Sequence, residues 1–129
     1  MNKEAVWPDV GPESKGPYSP AITHGDLVFV SGQGPVDPET GEILRGGVTE
    51  EFRVAVNNVK LILEAAGSSL ANVLKVTLYL GDMDDFATVN EVYKEFFGPV
   101  FPARSTIQAG RLPLGIKVEI DVIAAANDA

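Results

Sequence analysis

Apolar and polar positions along this chain follow two periods, and the changes from one to the other mark its elements. LVFVSGQ (27–33), VLKVTLYL (73–80) and KVEIDVIA (117–124) are β-rich runs in which alternate positions share a face. Along 73–80 Leu74, Val76, Leu78 and Leu80 share one face. Along 117–124 Val118, Ile120, Val122 and Ala124 share one, which leaves Lys117, Glu119, Asp121 and Ile123 on the other. PARSTIQ (102–108) alternates too, with Arg104, Thr106 and Gln108 pointing one way and Ser105, Ile107 and Ala109 the other. Its first face is wholly polar and opens with a guanidinium.

Between these strands the period lengthens to that of a helix. TEEFRVAVNNVKLILEAAG (49–67) carries Phe52, Val56, Val59, Leu63 and Ala66 on one stripe, with Thr49 placed to cap it and Gly67 to end it. GDMDDFATVNEVYKEFFG (81–98) carries Phe86, Val89, Asn90, Tyr93 and Phe97, with an aspartate cap and Gly98 as exit. YSPAIT, HGD and LVFVSGQ predict a short strand, a turn at Gly25 and a longer strand. GPVDPETGEILRGG (34–47) predicts a loop with a short strand at 42–44. Pro8, Gly11, Pro12, Gly16 and Pro17 crowd the start of the chain, and residues 1–15 read as an irregular arm.

These elements predict an α+β layer architecture: one domain, with two helices packed on one face of a mixed sheet. Ile107, Ala109 and Ile123 cannot all lie under two helices, so the uncovered face is expected to support self-association. The GRLPLG connection (110–115) suggests that the last two strands form an antiparallel hairpin. A register pairing Arg104 with Glu119 would pair Thr106 with Lys117.

Composition narrows the chemistry. Hydrophobic residues make up 45% of the 129 residues and charged residues 22%, the balance of an ordinary globular protein. No apolar run is long enough to span a bilayer and MNKEAVWPDV has no signal-peptide core, so a cytoplasmic protein with no membrane partner is expected. With no cysteine and one histidine, His24, thiolate catalysis and cysteine- or histidine-rich metal sites are excluded. A net charge of −8, with ten scattered Lys and Arg, makes nucleic acid an unexpected partner. GQGPVDPETG has no helix start where a phosphate loop needs one, and a Ser-His-Asp triad would require His24, which falls in a turn.

The remaining polar candidates each stand between a structural role and a chemical one. Arg104 and Glu119 are either a cross-strand ion pair, which is worth at most about 1 kcal/mol when exposed, or a carboxylate anchor beside a group that handles water. Asn90 inside an apolar stripe must be hydrogen-bonded, to a loop or into a pocket. Tyr18 is a packing residue with a wet tip or a phenol at a site. Ser31 and Gly32 mark a bulge or a close backbone approach.

Taken together, GPYSPAI (16–22), FVSGQGPVDPETGEI, LILEAAGSSLANVLKVTLYL, DMDDFATVNEVYKEFF, PARSTIQ and LPLGIKVEIDVIA resemble the RidA (YjgF) family of small deaminases, from about residue 16 to 125. The resemblance implies a chorismate-mutase-like fold and a homotrimer with active clefts between subunits. It implies hydrolysis of reactive enamines and imines, such as 2-aminoacrylate and 2-iminopropanoate, to 2-oxo acids and ammonia without a cofactor. Arg104 would hold the substrate carboxylate and Glu119 would position or activate the water. Tyr18, Ser31 and Asn90 would complete the pocket, with backbone N–H groups near Gly32 and Thr106 at the carboxylate end. The chain departs from the family pattern at Thr106, where cysteine is common, and at Phe52 and Pro20. Two alternatives stand beside the deaminase: an endoribonuclease that inhibits translation, and a non-catalytic trimer that binds a small carboxylate.

Overall fold

The structure, a computed structural model, describes residues 2–11 and 13–128; Pro12 of the arm lies outside them. Six strands form one sheet: β1 (Glu4–Val6), β2 (Ala21–His24), β3 (Leu27–Gln33), β4 (Val73–Leu80), β5 (Ala103–Gln108) and β6 (Val118–Ala125), in the order β1-β2-β3-β6-β4-β5. Helix α1 (Val48–Ala65) joins β3 to β4 and α2 (Phe86–Phe97) joins β4 to β5. Among the described residues only β4 and β5 pair in parallel. The helices share one face, where Phe52, Val56, Val59 and Leu63 of α1 and Val89 of α2 are buried on Val76, Leu78, Leu80, Val118 and Ile120. This is the α+β arrangement that the two periods predict.

Four local expectations change. The arm is not wholly irregular, because Glu4–Val6 pairs antiparallel with β2 and extends the sheet. Helix α1 begins at Val48 after Gly47, with no side-chain cap, so Thr49 lies within the first turn. In the second helical segment Asp82 does cap, but it caps a 3-10 turn (Met83–Asp85) by accepting from Asp84 N at 2.8 Å, and α2 follows from that turn. A register shift between Val73 and Lys75 puts Val73 in the core and turns Leu74 out to solvent.

The largest correction concerns β5 and β6, which are not a hairpin. Strand β4 lies between them, pairing Val76 with Arg104 and Leu78 with Thr106 on one side, and Tyr79 with Glu119 on the other. The connection passes the end of β4 instead of reversing tightly. Ala109 N donates to Leu80 O at 2.9 Å, and Gly81 N donates to Lys117 O at 2.9 Å. The physical reason is burial: alternating apolar residues fill β4 and β6 on the helix side, so both occupy the sheet's interior while polar β5 takes the edge.

Candidate functional site

The topology sorts the candidate residues onto the two faces of the sheet. Paired residues share a face, so Arg104 follows Val76 onto the side covered by the helices. Glu119 lies between buried Val118 and Ile120 and points to the open side. The expected direct pair of Arg104 and Glu119 therefore does not form within one chain.

Arg104 is held by α2. Its Nη2 donates to Asn90 Oδ1 at 2.8 Å, and its guanidinium carbon sits 4.6 Å from the centre of the Tyr93 ring and 5.6 Å from that of Phe86. An arginine stacked on an aromatic face and bonded at one nitrogen keeps its other donors in a fixed fork. Among the described residues Arg104 takes part in no ion pair. Asn90, Tyr93, Lys94, Phe101, Pro102 and Arg104 line a cleft of about 410 Å³. Burial raises the Tyr93 phenol above its ordinary range, opposed by the Arg104 charge. Among the described residues, Tyr93 Oη and Thr106 Oγ1 are buried without a hydrogen-bond partner. Phe52 lies in the core 6.3 Å from the Tyr93 ring, so it supports the platform from behind and does not form a cleft wall.

Glu119 belongs to a second cleft, of about 380 Å³, shared with Tyr18, Pro20, Gly32 and Gly34. Gly32 lies in a bulge, where the β3–β6 register shifts between Val30 and Gln33. A Cβ there would collide with the Glu119 carboxylate, so the missing side chain is what lets the carboxylate lie against the backbone. Ser31 fastens the bulge: its N–H donates to Pro20 O at 2.9 Å and its hydroxyl to Ser19 O at 2.6 Å. Tyr18 is 49% exposed at the mouth, its phenol accepting from Lys15 N at 3.3 Å.

Burial, and then the charge of Asp121, raise the Glu119 carboxyl above the ordinary carboxylate range. Tyr79, the cross-strand partner of Glu119, donates its hydroxyl to Asp121 Oδ2 at 2.9 Å. That bond, burial and the two nearby carboxylates push the Tyr79 phenol up to about 12. Among the described residues no group of three or more acidic or histidine side chains is placed to hold a metal ion, and no helix is long and apolar enough to cross a membrane.

The sequence candidates thus fall into two groups: Arg104, Asn90 and Thr106 under α2, and Tyr18, Ser31, Gly32 and Glu119 around the bulge. Three contributors were not anticipated. Tyr93 stood in the predicted stripe three residues after Asn90, a spacing that faces both toward one neighbour, but it read as core. Tyr79 and Asp121 were hidden by the hairpin register, which gave Glu119 the wrong partner.

Fold and clefts define a small α+β protein with an arginine that, among the described residues, makes no ion pair, and a half-buried carboxylate in a separate cleft. The chain belongs to the endoribonuclease L-PSP (YjgF/RidA) family, whose model matches residues 9–126. It is 48% identical over 124 residues to a RutC family protein of Pyrococcus abyssi, spanning 96% of this chain and 98% of that protein. It is 46% identical over 113 residues to the 2-iminobutanoate/2-iminopropanoate deaminase of Bos taurus, spanning 88% of this chain and 82% of that one. The crystal structure of Escherichia coli TdcF with bound serine matches with a TM-score of 0.90 and 42% identity, covering 96% of this chain and 99% of that one.

Proposed function

We propose that the protein is a cofactor-independent deaminase that hydrolyses reactive 2-imino acids and their enamines to 2-oxo acids and ammonia, clearing them from the cytoplasm. Three copies associate through the open sheet face, and the Arg104 cleft of one protomer meets the Glu119 cleft of the next. The observation that carries this reading is the free fork of Arg104, oriented by Asn90 and Tyr93 and matched to no carboxylate among the described residues. Membership of a family with members named as imine deaminases supports it. So does the open face, where Phe29 (38%) and Ile107 (47%) are exposed beside the polar Glu119 and Asp121.

The chemistry asks little of the protein. An iminium carbon is already electrophilic, so orientation and one proton acceptor suffice. Arg104 binds the substrate carboxylate bidentately. Glu119 accepts a proton as water adds to the imine carbon and the C=N π pair moves to nitrogen. The same carboxyl then returns that proton to nitrogen, ammonia leaves, and loss of the hydroxyl proton forms the C=O. Its raised pKa suits a group that must both take and give the proton. Tyr18 closes the mouth, and Ser31 and Gly32 hold the backbone against Glu119. Backbone N–H groups near Gly32 and Thr106 meet the carboxylate end.

The test is the release of 2-oxo acid and ammonia from 2-iminopropanoate formed in situ, in competition with semicarbazide. Acceleration by the protein supports the reading; no acceleration by well-folded trimer, with several imines, refutes it. The family model's description raises RNA cleavage as a second reading. A charge of −8 opposes binding to a phosphate backbone, and specific cleavage of RNA at physiological salt would favour it.

A further inference from the structure

We propose that the Glu119 cleft selects 2-imino acids with an extended apolar side chain, and that Leu114 is the residue that sets this preference. The inference rests on the deaminase reading and adds the substrate class. Besides Glu119 and the polar Glu13, Lys15 and Gln33, the cleft is lined by the apolar Pro20, Val36, Ile43, Leu114 and Ile116. Its volume of about 380 Å³ falls in the range of pockets that enclose drug-sized ligands. A substrate whose side chain is a single methyl group would leave most of that apolar wall wet.

Leu114 is the unusual member of the wall. It is 72% exposed, and its backbone adopts φ 57° and ψ 19°, a left-handed conformation that leucine rarely takes. A solvent-facing apolar side chain on a disfavoured backbone persists only where its surroundings fix it, and such positions cluster at ligand clamps. Here the fixing group is Arg45, whose Nη2 donates to Leu114 O at 2.7 Å from the loop that also supplies Val36 and Ile43. The contact joins the loop at 34–47 to the GRLPLG connection, so both apolar segments are held around Glu119 as one lip. A branched or unbranched aliphatic chain leaving the imine carbon has that lip to bury against, and the hydrophobic gain favours it over a methyl.

The test compares kcat/KM for the imines of leucine and of alanine, generated in situ by an amino-acid oxidase, using wild type, Leu114→Asn and Leu114→Met. Asparagine tolerates the left-handed backbone, so this variant should keep its fold, which its thermal midpoint checks. Wild type is expected to favour the leucine-derived imine by about tenfold or more, the discrimination a well-formed apolar pocket gives. Leu114→Asn should lower that ratio about fivefold or more, mainly through KM for the larger imine, while Leu114→Met keeps it. A wild type with equal or greater efficiency on the alanine-derived imine, or an unchanged ratio in Leu114→Asn, would overturn the inference and leave the deaminase reading standing. No turnover of either imine would overturn both.

Discussion

Arg104 and Glu119 project from opposite faces of one sheet, with β4 between their strands. Arg104 meets the second helix through Asn90 at 2.8 Å, whereas Glu119 lies against the bulge at Gly32. Two groups that the proposed chemistry needs within a few ångströms of one substrate are thus kept apart by the thickness of their own sheet. An active site that uses both must draw them from different copies, and the predictions turn on that division.

Arg104→Ala should lower kcat/KM for 2-iminopropanoate by about 100-fold or more, the loss expected when two charge-assisted hydrogen bonds to a carboxylate disappear. Circular dichroism should be unchanged, because the side chain lies at an edge strand beside an open cleft. Arg104→Lys keeps the charge without the planar fork and should recover only a small part of the activity.

Gly32→Ala tests the other half-site. Its Cβ would meet the far end of the Glu119 side chain, which can move, so the chain should fold normally while the carboxylate is displaced. We expect kcat to fall about 10- to 100-fold, as for a catalytic group misplaced by about an ångström. Binding of a 2-oxo acid product, measured by calorimetry, should weaken much less, since Arg104 is untouched.

Asp121→Asn addresses the pH dependence. Burial first, and then the Asp121 charge, raise the Glu119 pKa. Removing the charge leaves the burial contribution and lowers that pKa. Glu119 must be ionised to take the proton from water, so activity is lost as pH falls through its pKa. The acidic limb of kcat/KM should therefore move to lower pH in the variant. Tyr79 loses its charged acceptor, so its titration, followed by phenolate absorbance, should fall from about 12 toward the ordinary 10.0.

The open face supplies a fourth prediction. Ile107 lies on an edge strand and is 47% exposed, so Ile107→Asp should leave the fold of a single chain intact. Sedimentation should show the proposed trimer shifted toward monomer, with activity lost in parallel. A fully active monomer would contradict a site shared between copies.

Much of the fold was legible because its periods are strong. The limits of β3 and β4 match the apolar runs residue for residue, and both helix stripes bury the side chains expected, apart from Ala66 and Asn90, which are half-buried, and Phe86 at the exposed start of α2. Pairing was less legible. Alternation tells which face a residue takes but not which strand lies beside it, and GRLPLG resembles a turn from sequence alone. The site followed the same division. Arg104 stood out as a guanidinium on a wholly polar strand face, Glu119 as a carboxylate on the polar face of an apolar strand, Asn90 as an amide in an apolar stripe, and Gly32 as a glycine at the end of an apolar run. Tyr79 and Asp121 became visible only once β6 was placed beside β4, and Leu114 only through its backbone angle.

Mixing two inactive variants shows whether each site is built from two chains. Arg104→Ala and Glu119→Gln protomers, refolded together in equal amounts, should form mixed trimers. If each site takes Arg104 from one copy and Glu119 from its neighbour, roughly a quarter of the sites in random trimers carry both intact groups. Recovery of about that fraction of wild-type activity, with either variant alone inactive, is the predicted result. Mixed trimers that stay as inactive as their parents would contradict a site built from two chains.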